Sequence, residues 1–101
     1  MIVDLPSYTV GKEADWSLIP EHMIGGLRHY IEFGIEPGGF LEAVLCNDLK
    51  NAVGRADHIN KHRLNDYIMF LYNFAPSDCW GSPEQYQEWI DRRGLNWDGV
   101  A

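Results

Sequence analysis

A chain of 101 residues has room for one core, and its 46% apolar and 23% charged residues are an ordinary globular balance that argues against wholesale disorder. Fifteen acidic and eight basic residues give −7 with the histidines neutral, which argues against a generic nucleic-acid binder and against a polybasic membrane anchor. Two cysteines cannot staple a secreted mini-protein or build a Cys-rich zinc site.

The first residues carry neither a basic n-region nor an apolar h-region, so no secretory leader is expected. No unbroken apolar run approaches the roughly 20 residues that span a bilayer, so no membrane association is expected. Both points lead to an expected place in the cytoplasm, with Cys46 and Cys79 reduced.

Residues 1–16 show no sustained period and read as an N-terminal arm, extended or forming a short strand around Pro6. A helical domain is expected over 17–94, followed by a C-terminal tail over 95–101. Ser17 is a candidate N-cap with Pro20 in the first turn, and Ile19, Met23, Leu27, Tyr30 and Ile31 repeat as one buried stripe. Gly34 suits a left-handed helix end, Ile35 can fold back on Tyr30, and Pro37 forbids continuation.

Pro37-Gly38-Gly39 is a turn. Leu41, Leu45, Leu49, Ala52, Val53 and Ala56 then form a second stripe, interrupted by the capping residues Asn47 and Asp48. Two short helices over 40–46 and 48–56 are expected, with one continuous helix as the alternative. Asp57 or Asn60 caps the next helix, whose buried face is Leu64, Tyr67, Ile68, Leu71 and Ala75. Met69, Phe70, Tyr72 and Phe74 make it apolar nearly all round, which places it at the centre of the fold. Ser82-Pro83-Glu84-Gln85 is the sharpest local signal: a capping box with proline at N1. Tyr86, Trp89 and Ile90 are the buried face of that helix, and Gly94 closes it. The expected fold is therefore all-α, a compact single-domain bundle of four to five short helices with an irregular N-terminal arm.

The catalytic constellations are weak. His58 and His62 stand four apart with Asp66 four further on, but no His-Glu-x-x-His base and no third ligand is marked, so two solvated histidines are the ordinary reading. Cys46 ends an apolar run and reads as core. Cys79, in a loop, has no charge partner in sequence and reads as packing ahead of reactivity. No phosphate-binding loop and no nucleophile elbow is present. No enzyme activity, no metal site and no cofactor is expected.

Charge is unevenly spread. Residues 1–48 hold eight acids and two bases, residues 49–75 two acids and four bases, and residues 76–101 five acids and two bases. Glu21, Glu32, Glu36, Glu42 and Asp48 are the candidate acidic contact face, suited to competing with nucleic acid for a basic groove on a partner. Trp97, in the tail, is a candidate aromatic anchor. Lys50, Arg55, Lys61 and Arg63 form the alternative basic patch.

Five stretches carry a resemblance: Ile-Pro-Glu-His-Met-Ile-Gly-Gly-Leu-Arg-His-Tyr-Ile-Glu (19–32), Pro-Gly-Gly-Phe-Leu-Glu-Ala-Val-Leu-Cys-Asn-Asp-Leu (37–49), Ala-Val-Gly-Arg-Ala-Asp (52–57), Phe-Leu-Tyr-Asn-Phe-Ala-Pro (70–76) and Cys-Trp-Gly-Ser-Pro-Glu (79–84). Together they resemble a family of small proteins encoded by bacteriophages and prophages, of no established activity, over about residues 19–90. The resemblance implies a phage accessory protein that binds a host or defence-system protein and modulates or inhibits it, and it carries over no catalytic residue. Direct nucleic-acid binding is not expected. The alternative is a small nucleic-acid-binding regulator using the basic patch, with the helix break near 56–60 as a helix-turn-helix.

Overall fold

In the computed structural model, which describes residues 5–96, five α-helices and three 3₁₀ turns form an all-α domain. The helices are α1 (Glu21–Phe33), α2 (Gly39–Leu45), α3 (Leu49–Arg55), α4 (Leu64–Phe74) and α5 (Pro83–Asp91). The 3₁₀ turns are Trp16–Leu18, Asn60–His62 and Ser77–Cys79.

The first helix starts later than the Ser17 cap predicts. Asp15 caps instead, accepting from the Ser17 N–H at 3.1 Å, and it caps only the 3₁₀ turn. Ile19 is then extended, and Pro20 stands immediately before α1, where its fixed φ of −54° and missing N–H cost nothing. Glu21 in the first turn complements the positive end of the helix dipole.

The far end of α1 follows the sequence signal. Gly34 adopts φ 69° and its N–H donates to the Tyr30 carbonyl at 2.9 Å. The Ile35 side chain remains half exposed rather than folding back on Tyr30, although its N–H donates to the His29 carbonyl. Two further end carbonyls of α1 are taken by the chain beyond α5. The Leu95 N–H donates to the Ile31 carbonyl at 3.0 Å, and the Asn96 N–H to the Glu32 carbonyl at 2.9 Å. The Trp89 indole N–H lies 3.0 Å from the Tyr30 carbonyl and 3.2 Å from that of Ile31. For the two backbones to meet, Gly34 and Gly94 lie against each other, and a Cβ on Gly34 would be 2.8 Å from the Gly94 nitrogen.

The expected pair of short helices is present. Asp48 separates them and accepts from the Asn51 N–H, so a single continuous helix is excluded. Asp57 caps the Asn60–His62 turn, accepting from the N–H groups of Ile59 and Asn60 at 3.0 and 2.7 Å. Ser82 caps α5 by accepting from the Gln85 N–H at 3.1 Å.

The core joins Leu27, Tyr30 and Ile31 of α1, Phe40, Leu41, Val44 and Leu45 of α2, Tyr67, Phe70 and Leu71 of α4, and Tyr86 and Trp89 of α5. Tyr30 stacks on Tyr86 at 5.4 Å, and its hydroxyl donates to the Cys79 carbonyl at 2.6 Å.

Two sequence expectations need correction. Helix α4 is not central: Ile68, Met69 and Tyr72 are 37%, 43% and 78% exposed, so its apolar outer face has no covering element among the described residues. The N-terminal segment is irregular as expected, but over its described residues from Leu5 it forms no short strand. It turns tightly at Val10-Gly11, where Thr9 and Lys12 form one isolated bridge, and it delivers Trp16 into the core. The Trp16 indole N–H donates to the Pro6 carbonyl at 2.7 Å, and its ring lies 4.5 Å from that of Phe70.

Candidate functional site

The uncovered face of α4 borders a groove. Ala43 and Val44 of α2, Asn47 and Asp48 of the bend, Leu49 and Ala52 of α3, and Leu64, Asn65 and Ile68 of α4 line a cleft of about 220 Å³. Its origin is local. The bend at Asn47 and Asp48 packs α3 against α2, and residues 56–63 separate α3 from α4 along the chain. At roughly 3.6 residues per turn, Val53 continues the Leu49 side of α3, and Tyr72 continues the Ile68 side of α4. Leu49 and Val53 are 68% and 56% exposed, so the apolar surface runs out of the groove onto both rims. A contiguous apolar surface left open on a small domain marks an interaction site.

The groove is electrically quiet. Asp48 is its charged lining residue among those described, and its carboxylate is engaged by Asn51 through the backbone N–H at 3.3 Å and the side-chain amide at 2.6 Å. That bonding holds the Asp48 carboxyl below the usual range. No Lys or Arg occurs between Arg63 and Arg92, so α4 exposes Ile68, Met69 and Tyr72 without a cation among them.

The predicted acidic face is only partly assembled. Glu32 is buried at 3% exposure and does not belong to it. The Arg28 Nε donates to its carboxylate at 3.0 Å and the Tyr8 hydroxyl at 2.7 Å. Burial and the bond to Glu32 push the Tyr8 phenol well up, and the Arg28 guanidinium is raised first by its bond to Glu32. Glu32 therefore ties the N-terminal segment to α1. Asp48 is half-buried as the α3 cap. Glu36 and Glu42 face Tyr86, whose phenol is pushed up to about 12, first by burial and then by these two carboxylates. Glu42 and Asp48, with Glu84, also bear on Cys46, whose thiol is raised chiefly by burial. Glu84 is the member that charge counting along the chain missed, because α5 brings it back from a distant segment. Glu21 is exposed at the start of α1. Trp97 lies outside the described residues.

The basic patch is also reduced. Arg63 is committed internally: its Nη2 donates to the Ser17 and Leu18 carbonyls at 2.9 and 3.0 Å, and its Nε to Asp66 at 2.6 Å. Arg55 donates to the Gly39 carbonyl at 3.3 Å. Lys50 and Lys61 are exposed and belong to no ion pair among the described residues. Two lysines and a cation-free α4 give phosphates little to bind.

His58 lies before the Asn60–His62 turn and His62 within it, so their four-residue spacing does not fall on an α-helix. Among the described residues no three His, Cys, Asp or Glu side chains gather as a metal site. Cys79 is fully buried and its thiol is pushed up to about 12, first by desolvation, so it packs rather than reacts. Trp80 is half-buried against the core and Trp89 is buried within it. No helix among the described residues is long and apolar enough to cross a membrane. Comparison of the chain with family models, with curated proteins and with solved structures finds no match.

Proposed function

We propose that the protein is a phage accessory protein that works by stoichiometric binding, modulating or inhibiting a host or defence-system protein, and that it is not an enzyme. The observation that carries this reading is the uncovered apolar groove between α3 and α4 with its exposed rims at Leu49, Val53, Ile68 and Tyr72. Water-exposed apolar side chains on a domain this small leave favourable burial unused, and a partner surface supplies it. The thiols and histidines support the same reading, since they are packed away or dispersed. The phage setting rests on the resemblance of residues 19–90.

The test is affinity capture from a bacterial host lysate, with Ile68→Glu as the paired control and native mass spectrometry of what is retained. One protein held at one-to-one stoichiometry by the wild type and released by Ile68→Glu is the expected result. Retention of nothing above background, or equal retention by both forms, overturns the proposal.

A further inference from the structure

The exposed residues of α4 form a pattern that maps onto itself. Asn65, Ile68, Met69 and Tyr72 are its exposed positions, at i, i+3, i+4 and i+7, within one arc of about 100° of the helix. Reversing the chain direction about the point midway between Ile68 and Met69 exchanges those two residues, and it exchanges Asn65 with Tyr72. At about 1.5 Å of rise per residue, Asn65 and Tyr72 stand equally far from that point, about 5 Å on either side. A two-fold axis there lays α4 antiparallel on α4 of a second copy, in register. Tyr72, 78% exposed, then meets Asn65 on the wall of the other copy's groove, and the opposed helix dipoles favour the pairing. Charge does not choose the occupant. The α4 stripe carries none, and Asp66 beside it is bonded to Arg63 at 2.6 Å. Asp48 in the groove, bonded to Asn51, also has Arg55 and Lys50 in its field, so both signs border it and no single sign is set against itself.

We infer that the α3–α4 face pairs with a second copy of this chain, α4 antiparallel to α4 about a two-fold axis between Ile68 and Met69, with Tyr72 of each copy against Asn65 of the other. Area sets the strength. A fully exposed large side chain offers about 150–200 Å², so at their exposures Leu49, Val53, Ile68, Met69 and Tyr72 present about 500 Å² per copy and about 1,000 Å² per pair, the lower bound for a specific interface. With −7 on each copy opposing association, the pair is weak and reversible rather than permanent. The pairing does not depend on the binding role proposed above, and on dilution it leaves the same face free for a partner.

The experiment is sedimentation equilibrium of the full chain from about 5 to about 500 µM, a range that brackets a Kd of about 10–100 µM for an interface of this size. The mass is expected to rise from 11.6 kDa toward twice that value, and the pair should tighten severalfold between about 0.05 and about 0.5 M salt as the −7 on each copy is screened. Ile68→Glu and Tyr72→Glu, both at exposed positions and checked for native circular dichroism, should each weaken the pair about tenfold or more, while Val10→Glu, on the N-terminal turn, should leave it unchanged. The register is read by disulfide formation with oxidised glutathione on a Cys46→Ser background. A chain with Asn65→Cys should cross-link to a chain with Tyr72→Cys about tenfold faster than to its own kind, because like positions stand about 10 Å apart along the helix axis and a disulfide spans about 7 Å at most. A mass that stays at 11.6 kDa throughout, a pair indifferent to both Ile68→Glu and Tyr72→Glu, or cross-linking of like positions as fast as the mixed pair overturns the inference. So does a pair that loosens as salt rises, since charge rather than apolar burial would then hold it. If no pair forms while Ile68→Glu still releases a partner captured from lysate, the binding role stands and this inference alone falls. If the pair forms and capture retains nothing, the binding role falls alone.

Discussion

Replacing Gly34 with Ala tests the junction between α1 and the segment beyond α5. Gly34 sits at φ 69°, where an L-residue costs about 1–2 kcal/mol. Its new Cβ would also stand 2.8 Å from the Gly94 nitrogen and 2.9 Å from the Arg93 Cα, and both are backbone atoms that no rotamer change can move. Relieving that overlap means lifting residues 93–96 from α1, which strains the bonds from Leu95 and Asn96 and costs about 1–3 kcal/mol more. The expected loss is about 2–5 kcal/mol, and at about 4–8 °C per kcal/mol for a domain of this size Tm should fall by about 10 °C or more. Gly25 is the internal control. It lies inside α1 with nothing within 4 Å of a Cβ, so Gly25→Ala should raise stability by about 0.5–1 kcal/mol. Urea denaturation of wild type and both variants, followed by circular dichroism, compares one substitution at two places in one helix and its cap. A Gly34→Ala variant within about 0.5 kcal/mol of wild type would refute the reasoning.

Ser82→Ala removes the acceptor for the Gln85 N–H and should cost about 1 kcal/mol in the same denaturation assay; no change would show that α5 is held by packing alone. Tyr67→Phe takes the hydroxyl bonded at 2.6 Å to the Asn60 side-chain carbonyl and leaves that buried oxygen without its donor, so a loss of about 1–3 kcal/mol is expected, and a neutral result would contradict the burial of Asn60. Cys79 should resist an aromatic disulfide reagent at pH 8 until the protein is unfolded, and labelling at the denatured rate in native buffer would exclude the buried thiol. The same burial sets a pH sign. The folded thiol keeps its proton from its ordinary 9.0 up to about 12, so its contribution is whole below about pH 9 and is lost as pH rises toward 12. Tyr86, raised from 10.0 to about 12, adds in the same direction, and stability should hold between pH 8 and 9 and fall from about pH 9 to 11.

Local chemistry was legible wherever a single residue decides a backbone state. Gly34, Asp48 and Ser82 each mark an element end where the structure has one, because capping and left-handed backbone depend on neighbours in sequence. Legibility failed where the third dimension decides. Glu32 reads as a surface acid, yet it is buried because Arg28 one turn away and Tyr8 from the N-terminal segment both reach it. Trp16 has no helical period around it and still enters the core, since it packs on Phe70 of a distant helix. The all-round apolar character of α4 pointed to a central position. The four other α-helices do not surround it, and the surplus apolar residues became the groove rim instead. The groove had a signal in sequence, the cation-free stretch between Arg63 and Arg92, which charge counting by thirds averaged away.

The seating of residues 94–96 on the end of α1 also sets an order of assembly. During synthesis α1 leaves the ribosome before the other four α-helices, yet its Ile31 and Glu32 carbonyls wait for Leu95 and Asn96. The earliest helix is thus the last to be finished, and a nascent chain halted before residue 95 carries an open-ended α1.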